Sequence, residues 1–445
     1  MNVKNFICKN QDTDEASQAT CIPACYFQTG CRLLAACFMV AASPVWSLTL
    51  NESVKLAMET NPIAKTLNID VEAGEARLKQ KESSYYPQVS LTAEGGSSRS
   101  TGKTWTKHTR SSLDVKQILF DFYKTKHQIE STEFKLKHKE YLRKEGRQRL
   151  ALLVSKAYLE VLKLKQILDL MGDNIAFYEK LLEQMQQREK AGASSFADVQ
   201  RIQSLLQNAR TIQVAYQSDS TFAREAFTLI VGQTPDNLVI PPLEKMNVAL
   251  NLPEVITRTR ASYYGAMAKR QNVESARSSL AESRSERYPD ISLQASVSSE
   301  QSLQTLSKWK TDNKMLVVLS YNLWDGGNLE QRISENHSLF LRSQYQLDDY
   351  LKNLEKDVRE AYNTMMRFRE ERRLNSEALD INKQIVQLYR EEFDLGQRNL
   401  IDITTAQNDY HKSMVDDVYF HYEYYSSMMN VMFYLNKVTE SVSQL

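Results

Sequence analysis

The stretch "SSYYPQVSLTAEGG", residues 83–96, returns as "SERYPDISLQASVS", residues 285–298. Tyr86-Pro87 aligns with Tyr288-Pro289, and the same alternation follows each pair. In the first copy Val89, Leu91 and Ala93 fall on one face of an extended chain. Gln88, Ser90, Thr92 and Glu94 fall on the other. In the second, Ile291, Leu293, Ala295 and Val297 oppose Ser292, Gln294, Ser296 and Ser298. Each stretch reads as a strand with one apolar face and one small, polar face. Leu113-Asp-Val115 and the run from Met315 to Leu323 supply return strands. The pattern predicts strands over about 86–98, 104–120, 288–300 and 309–324.

The duplication extends well beyond the strands. Trp105 matches Trp309, and Leu119-Phe-Asp121 matches Leu323-Trp-Asp325, each at an offset of 204. Ala191-Gly-Ala-Ser-Ser-Phe-Ala-Asp198 matches Leu395-Gly-Gln-Arg-Asn-Leu-Ile-Asp402 at the same offset. An internal two-fold repeat follows, with residues 48–240 and 252–437 as its copies and 241–251, marked by Pro241-Pro242, as linker. Residues 438–445 are left as a C-terminal tail.

Each copy reads as helix, two strands, long helix, turn and helix. The first helix runs from Leu50 to about Ser84, stopping before Pro87, which disfavours helix in the residue ahead of it. The stretch from Phe122 to Lys190 contains no proline and, if helical, is roughly 100 Å long. A turn at Gly192 leads into a second helix from about Ala197 to Val231. Copy two gives helices over Leu252 to Arg287, Asn328 to Leu395 and Leu400 to Lys437, with its turn at Gly396. Leu164, Leu168, Met171, Ile175, Tyr178, Leu182 and Met185 follow a heptad pattern, which argues for helices packed side by side. Two shorter helices stacked end to end would match the long one, so each chain would supply four helical columns.

Alternation alone fits either a soluble hairpin on a helix or membrane strands. Around ten residues is enough to cross a bilayer when tilted, and Trp105, Phe120, Trp309 and Trp324 sit at strand ends, where interfacial aromatics belong. Four strands cannot close a barrel, and an open edge cannot sit in lipid. Membrane strands would therefore require several chains to share one barrel. Two chains give eight strands and a filled lumen, whereas three give twelve and a pore. The small polar face favours the wet lumen. The fold class expected is mainly α with a membrane β-barrel: four strands per chain completed as a 12-stranded barrel in a trimer, and a long α-helical coiled-coil barrel.

Composition restricts function. Among 445 residues, 56 basic side chains balance 55 acidic ones, which favours neither nucleic-acid nor acidic partners. Mean hydropathy is −0.49, as in soluble proteins. All five cysteines, Cys8, Cys21, Cys25, Cys31 and Cys37, lie in the first 37 residues. The apolar run from Leu33 to Trp46 suits a signal peptide, with Val45-Trp-Ser47 as a cleavage signal. Residues 1–47 are read as that leader, and a chain beginning at Leu48 would lack cysteine, as suits an oxidising compartment. Acidic residues before Arg32 leave the start open, and Leu34-Ala-Ala-Cys37 offers a lipidation site as an alternative.

No phosphate loop, dinucleotide fingerprint, GxSxG or HExxH occurs. His108, His127, His138, His337, His411 and His421 include no pair at three or four residues, so neither a metal nor another cofactor is expected, and no catalytic residue. Tyr419-Phe-His-Tyr-Glu-Tyr-Tyr425 lacks the basic residues of a base-stacking surface.

The order and duplication of these motifs resemble the TolC family of outer-membrane channels. The resemblance rests on the segment from Leu48 to Pro62, the paired Tyr-Pro strand openings, Leu323-Trp-Asp-Gly-Gly327 and the two glycine turns. It implies a homotrimer in outer-membrane lipid, serving drug efflux or type I protein secretion. The partners implied are a periplasmic adaptor and an inner-membrane transporter. It further implies that Ala191, Gly192, Ala193, Leu395, Gly396 and Gln397 meet the adaptor, and that Asp198, Arg398 and Asp402 close the periplasmic entrance. Thr405 stands where a relative has a second acid. The residues alone allow another role: Ser195 with Asp198, and Asn399 with Asp402, read as helix caps. The competing reading of the whole chain is a secreted or periplasmic coiled-coil oligomer with hairpin insertions.

Overall fold

The structure is a computed structural model and describes residues 48–99, 101, 105–302 and 308–444. The leader reading and all five cysteines lie outside the described residues.

Two short helices, α1 (Leu50–Thr60) and α2 (Pro62–Glu82), lead into strands β1 (Gln88–Ser98) and β2 (Thr106–Phe120). Then come α3 (Lys124–Lys190) and α4 (Phe196–Val231). After an irregular segment with one 3-10 turn, the same order follows: α5 (Leu252–Ser262), α6 (Tyr264–Ser285), β3 (Asp290–Ser302), β4 (Lys310–Ser320), α7 (Asn328–Asp394) and α8 (Leu400–Tyr434). Residues after 437 form a short helix, α9 (Val438–Ser443), where the sequence predicts only a tail. Val438 and Val442 are buried and Gln148 donates to Thr439 at 2.7 Å, which docks α9 on α3.

Both first helices are broken where the sequence predicts continuity. The first breaks at Asn61, whose backbone is extended and whose side chain caps α2, with Pro62 at the first helical position. The second breaks at Tyr263, at φ −59° and ψ 130°. Each break receives the end of another helix. Asn61 Nδ2 donates to the Ile230 carbonyl at 3.0 Å, satisfying the C-terminal end of α4. Asn436, just past α8, donates to the Ser262 carbonyl at 2.7 Å and accepts from Tyr264 N at 3.3 Å. The joints thus hold α4 against α1–α2 and α8 against α5–α6. Each pair runs beside a 67-residue helix, roughly 100 Å long at 1.5 Å per residue.

The main core lies at these joints. Leu150, Val154, Tyr158, Leu159 and Leu162 of α3 pack with Phe227, Val231, Met428 and Phe433. A smaller cluster near the far end joins Leu181, Met185, Val199, Ile202, Phe393 and Ile403. Along α3 the buried seam is Leu164, Ile167, Met171, Asn174, Tyr178, Leu181 and Met185. Its second position lies one residue earlier than the predicted Leu168, Ile175 and Leu182. Asn174 breaks the apolar pattern yet is buried, accepting from Gln407 at 3.4 Å.

The four strands form one antiparallel sheet in the order β1-β2-β3-β4. The two hairpins, well apart in sequence, pair through β2 and β3, Asp114 opposite Ser296. β1 and β4 are the open edges. The fourth strand ends at Ser320, not at about 324, so Trp324 lies beyond it.

Candidate functional site

Two regions, separated by the length of α3 and α7, hold the candidate residues. The first is the sheet. Register places Val89, Val115, Ala295 and Met315 in one row, and Leu91, Leu113 and Val297 in the next. Leu293 pairs with Val317, and Ile291 with Leu319. These rows make one apolar face, and nothing among the described residues covers it: Leu91 is 77 % exposed and Val317 68 %. The opposite face carries Ser90, Asp114, Ser296 and Lys314 in one row and Thr92, Ser112, Ser298 and Asp312 in another. Ser292 and Gln294 share this polar face. An apolar face this exposed is the reverse of a soluble sheet, which turns its apolar face to the core.

Trp105 and Trp309 stand exposed just ahead of β2 and β4. Phe120 closes β2 and Trp324 follows β4, both exposed. The four thus mark two levels, one at each end of the strands. A tilted strand of the length of β2 rises roughly 35 Å, enough to cross the hydrocarbon core. No helix among the described residues is long and apolar enough to cross a membrane.

The second region comprises the two helical turns. At the first, Gly192 has φ +76°. Its amide donates to Glu189 O at 2.9 Å, and Ala193 N donates to Arg188 O at 2.8 Å. At the second, Gly396 has φ +75°, with matching bonds to Phe393 O at 3.1 Å and from Gln397 N to Glu392 O at 2.8 Å. Both close their helix with paired bonds that need a left-handed residue, which only glycine supplies without cost. Ala191, Gly192, Ala193, Leu395, Gly396 and Gln397 are all exposed at the tips.

The following helix starts differ. Ser195 caps α4 by accepting from Asp198 N, and Asp198 answers by accepting from Ser195 N at 3.2 Å and Ser195 Oγ at 2.7 Å. Ser194 Oγ donates as well, at 3.2 Å. These bonds, the Ser195 hydroxyl foremost, hold the Asp198 carboxyl below its usual range. Asn399 caps α8 by accepting from Asp402 N at 2.9 Å. Asp402 instead faces Arg398, with Nη1 and Oδ2 3.7 Å apart. Arg398 Nε donates to Glu392 at 2.6 Å, and its guanidinium lies over Tyr389, 4.1 Å from the ring centre. The bond to Glu392 raises the Arg398 pKa above its ordinary value. Thr405 is exposed. Among the described residues no ion pair within the chain joins Asp198 to Arg398; each has found partners in its own turn.

The sequence reading missed Glu392 and Tyr389, which belong to the helix before the turn. An acid six residues ahead of Arg398, across a glycine turn, was the available signal. It also missed Arg188, which reaches from the first turn to the second, 4.0 Å from Asp394 and over the Phe393 ring at 4.7 Å. Among the described residues no group of His, Cys, Asp or Glu could hold a metal ion.

The outer membrane efflux protein profile matches residues 54–233 and 266–437, both halves of the chain. The chain belongs to the outer membrane efflux protein family. It is similar to the outer membrane protein TolC of Vibrio cholerae, 23% identical over 374 residues that cover 82% of this chain and 85% of that one. It is similar to the outer membrane efflux protein BepC of Brucella suis, 21% identical over 396 residues, covering 88% and 86%. In fold it matches the CmeC outer membrane channel of Campylobacter jejuni, with a TM-score of 0.77 at 14% identity over 89% of this chain and 88% of that one. As a member of this family the chain is an outer-membrane protein.

Proposed function

We propose that the chain is one of three identical staves of an exit duct through the outer membrane. Three four-stranded sheets close a 12-stranded barrel, with the apolar face towards lipid and the Ser- and Thr-rich face towards a water-filled lumen. The helices continue the duct into the periplasm. The observation that carries this reading is the single sheet: both hairpins lie side by side, their apolar face uncovered and both edges open. A soluble rod gives its hairpins no reason to meet.

Transport in this reading is passive. The chain catalyses nothing and holds no cofactor, and energy comes from an inner-membrane transporter joined through a periplasmic adaptor, in tripartite efflux or type I secretion. The exposed Gly192 and Gly396 turns are the adaptor's docking points. Arg398, Asp402 and Asp198 line the periplasmic entrance, and the Arg398–Glu392–Asp402 cluster holds the second turn in its closed position. The test is membrane fractionation followed by mass determination of the detergent-solubilised particle. A three-chain particle from the outer membrane is expected. A monomer soluble without detergent would overturn the duct.

A further inference from the structure

Between the joint core and the cluster near the tips, α8 meets α3 across a polar stretch. Asn174 of α3 accepts from Gln407 at 3.4 Å, and Tyr178 donates to Asn408 at 2.7 Å. One turn on from Gln407 lies His411, only 9 % exposed. Neither of its ring nitrogens has a hydrogen-bond partner among the described residues. A neutral imidazole offers one donor and one acceptor, and a buried polar group left without partners calls for a reason. The polar side chains of this stretch are spent on one another. At the same level α8 is tied to α7 instead. Asn375 donates to the Ser413 carbonyl at 3.0 Å, and Asn382 to the Ser413 hydroxyl at 2.7 Å.

Charge around the ring offers no compensation. Asp173 of α3, Glu377, Asp380 and Lys383 of α7, and Asp409 and Lys412 of α8 are all exposed. Burial holds the His411 pKa below its ordinary value, outweighing the pull of Asp173. An exposed carboxylate is screened by water and cannot anchor a buried imidazolium.

We propose that His411 makes the α3–α8 seam acid-labile: packed while neutral, it parts α8 from α3 at this level when it takes up a proton, and α8 stays tied to α7. Both helices belong to one chain, so the inference does not depend on the shared-barrel reading. The sign follows from linkage. A histidine kept neutral in the seam but free to bind a proton once the seam opens favours opening as pH falls below its free value, about 6.5. At pH 5.5 the open state is favoured about ten-fold more than at pH 7.5.

Hydrogen exchange of the full-length protein in detergent at pH 7.5 and 5.5, corrected for the intrinsic rate, reads this opening. Protection at residues 404–415 should fall about ten-fold at the lower pH. His411→Leu should abolish that loss, and His421→Leu, a second half-buried histidine of the same helix, should keep it. His411→Gln, which cannot titrate either, keeps the test open should the leucine variant not fold. Equal protection of the wild type at both pH values would overturn the proposal, as would an acid response that survives at His411→Leu or His411→Gln. Protection at residues 422–433, in the joint core, should hold at both values. Its loss together with residues 404–415 would mean global unfolding and overturn the local seam.

Discussion

The two halves of the chain build nearly the same backbone from different residues, and the differences fall at the strand-to-helix elbows and the helical tips. At both elbows an aspartate starts the long helix: Asp121 accepts from Thr125 N, and Asp325 from Leu329 N, each at 2.8 Å. Two left-handed residues follow. In the second half they are Gly326 and Gly327, at φ +72° and +86°. In the first they are Phe122 and Tyr123, at +52° and +67°, where side chains make the conformation costly. The aromatic rings offset that cost by packing. Phe122 stacks on Tyr288 of the neighbouring hairpin at 4.9 Å and lies 4.7 Å from Phe120. The first elbow therefore fastens two hairpins inside the chain. The glycine elbow adjoins the open edge, where the described residues offer no such ring partner.

At the tips the contrast concerns charge. Asp198 spends its carboxylate on its own helix start, whereas Asp402 leaves its cap to Asn399 and turns to Arg398. The same turn geometry thus yields one self-satisfied acid and one acid tied into a cluster.

The largest expected effect tests that difference at the tips. Arg398→Ser removes the contacts to Glu392, Asp402 and Tyr389. Losing all three contacts at once should shift the entrance towards its open state. Single-channel conductance should rise, while Asp198→Asn should leave it unchanged. Equal responses of the two variants would abolish the contrast. Next come the elbows. Gly327→Val should destabilise by about 1–2 kcal/mol through the left-handed backbone. Tyr123→Gly should be neutral or stabilising by up to about 1 kcal/mol, because its ring is largely exposed. Thermal melting of the detergent particle separates these outcomes, and a large loss at Tyr123 would show that its ring fastens the elbow more than its backbone strains it. Smaller still are the caps: Ser195→Ala and Asn399→Ala should each cost about 1 kcal/mol, with fraying confined to the first turn of α4 or α8 in hydrogen exchange.

The smallest effect is one of pH. The Asp198 pKa is lowered in the folded chain, so its contribution is present above the unfolded value near 4 and is lost as pH falls through the folded one. Exchange at residues 195–198 should quicken below about pH 4, and Asp198→Asn should remove that dependence.

Much was legible in the sequence because it is written locally. Period-two alternation fixed the strands and their faces, the absence of proline from Phe122 to Lys190 allowed one long helix, and Gly192 and Gly396 marked turns that only glycine closes freely. The duplicated motifs also gave the family. What escaped depended on partners far away in the chain. The break at Tyr263 has no proline to announce it, only Gly265 two residues on, and is stitched to Asn436, 173 residues on. Asn174 reads as a gap in the heptad until Gln407 meets it. The partners of Arg398, which stands just ahead of a helix start, are Glu392 and Tyr389, brought back across the turn. The end of β4 was overrun because alternation continues to Trp324, but a strand exists only where a neighbour takes its hydrogen bonds. The sequence by itself determined which segments can be strand or helix and which face of each is apolar, since those follow from side-chain spacing along one chain. Only the tertiary structure decided that both hairpins share one sheet with open edges, and which charges pair at the tips, because pairing is a property of two segments and neither one encodes it alone.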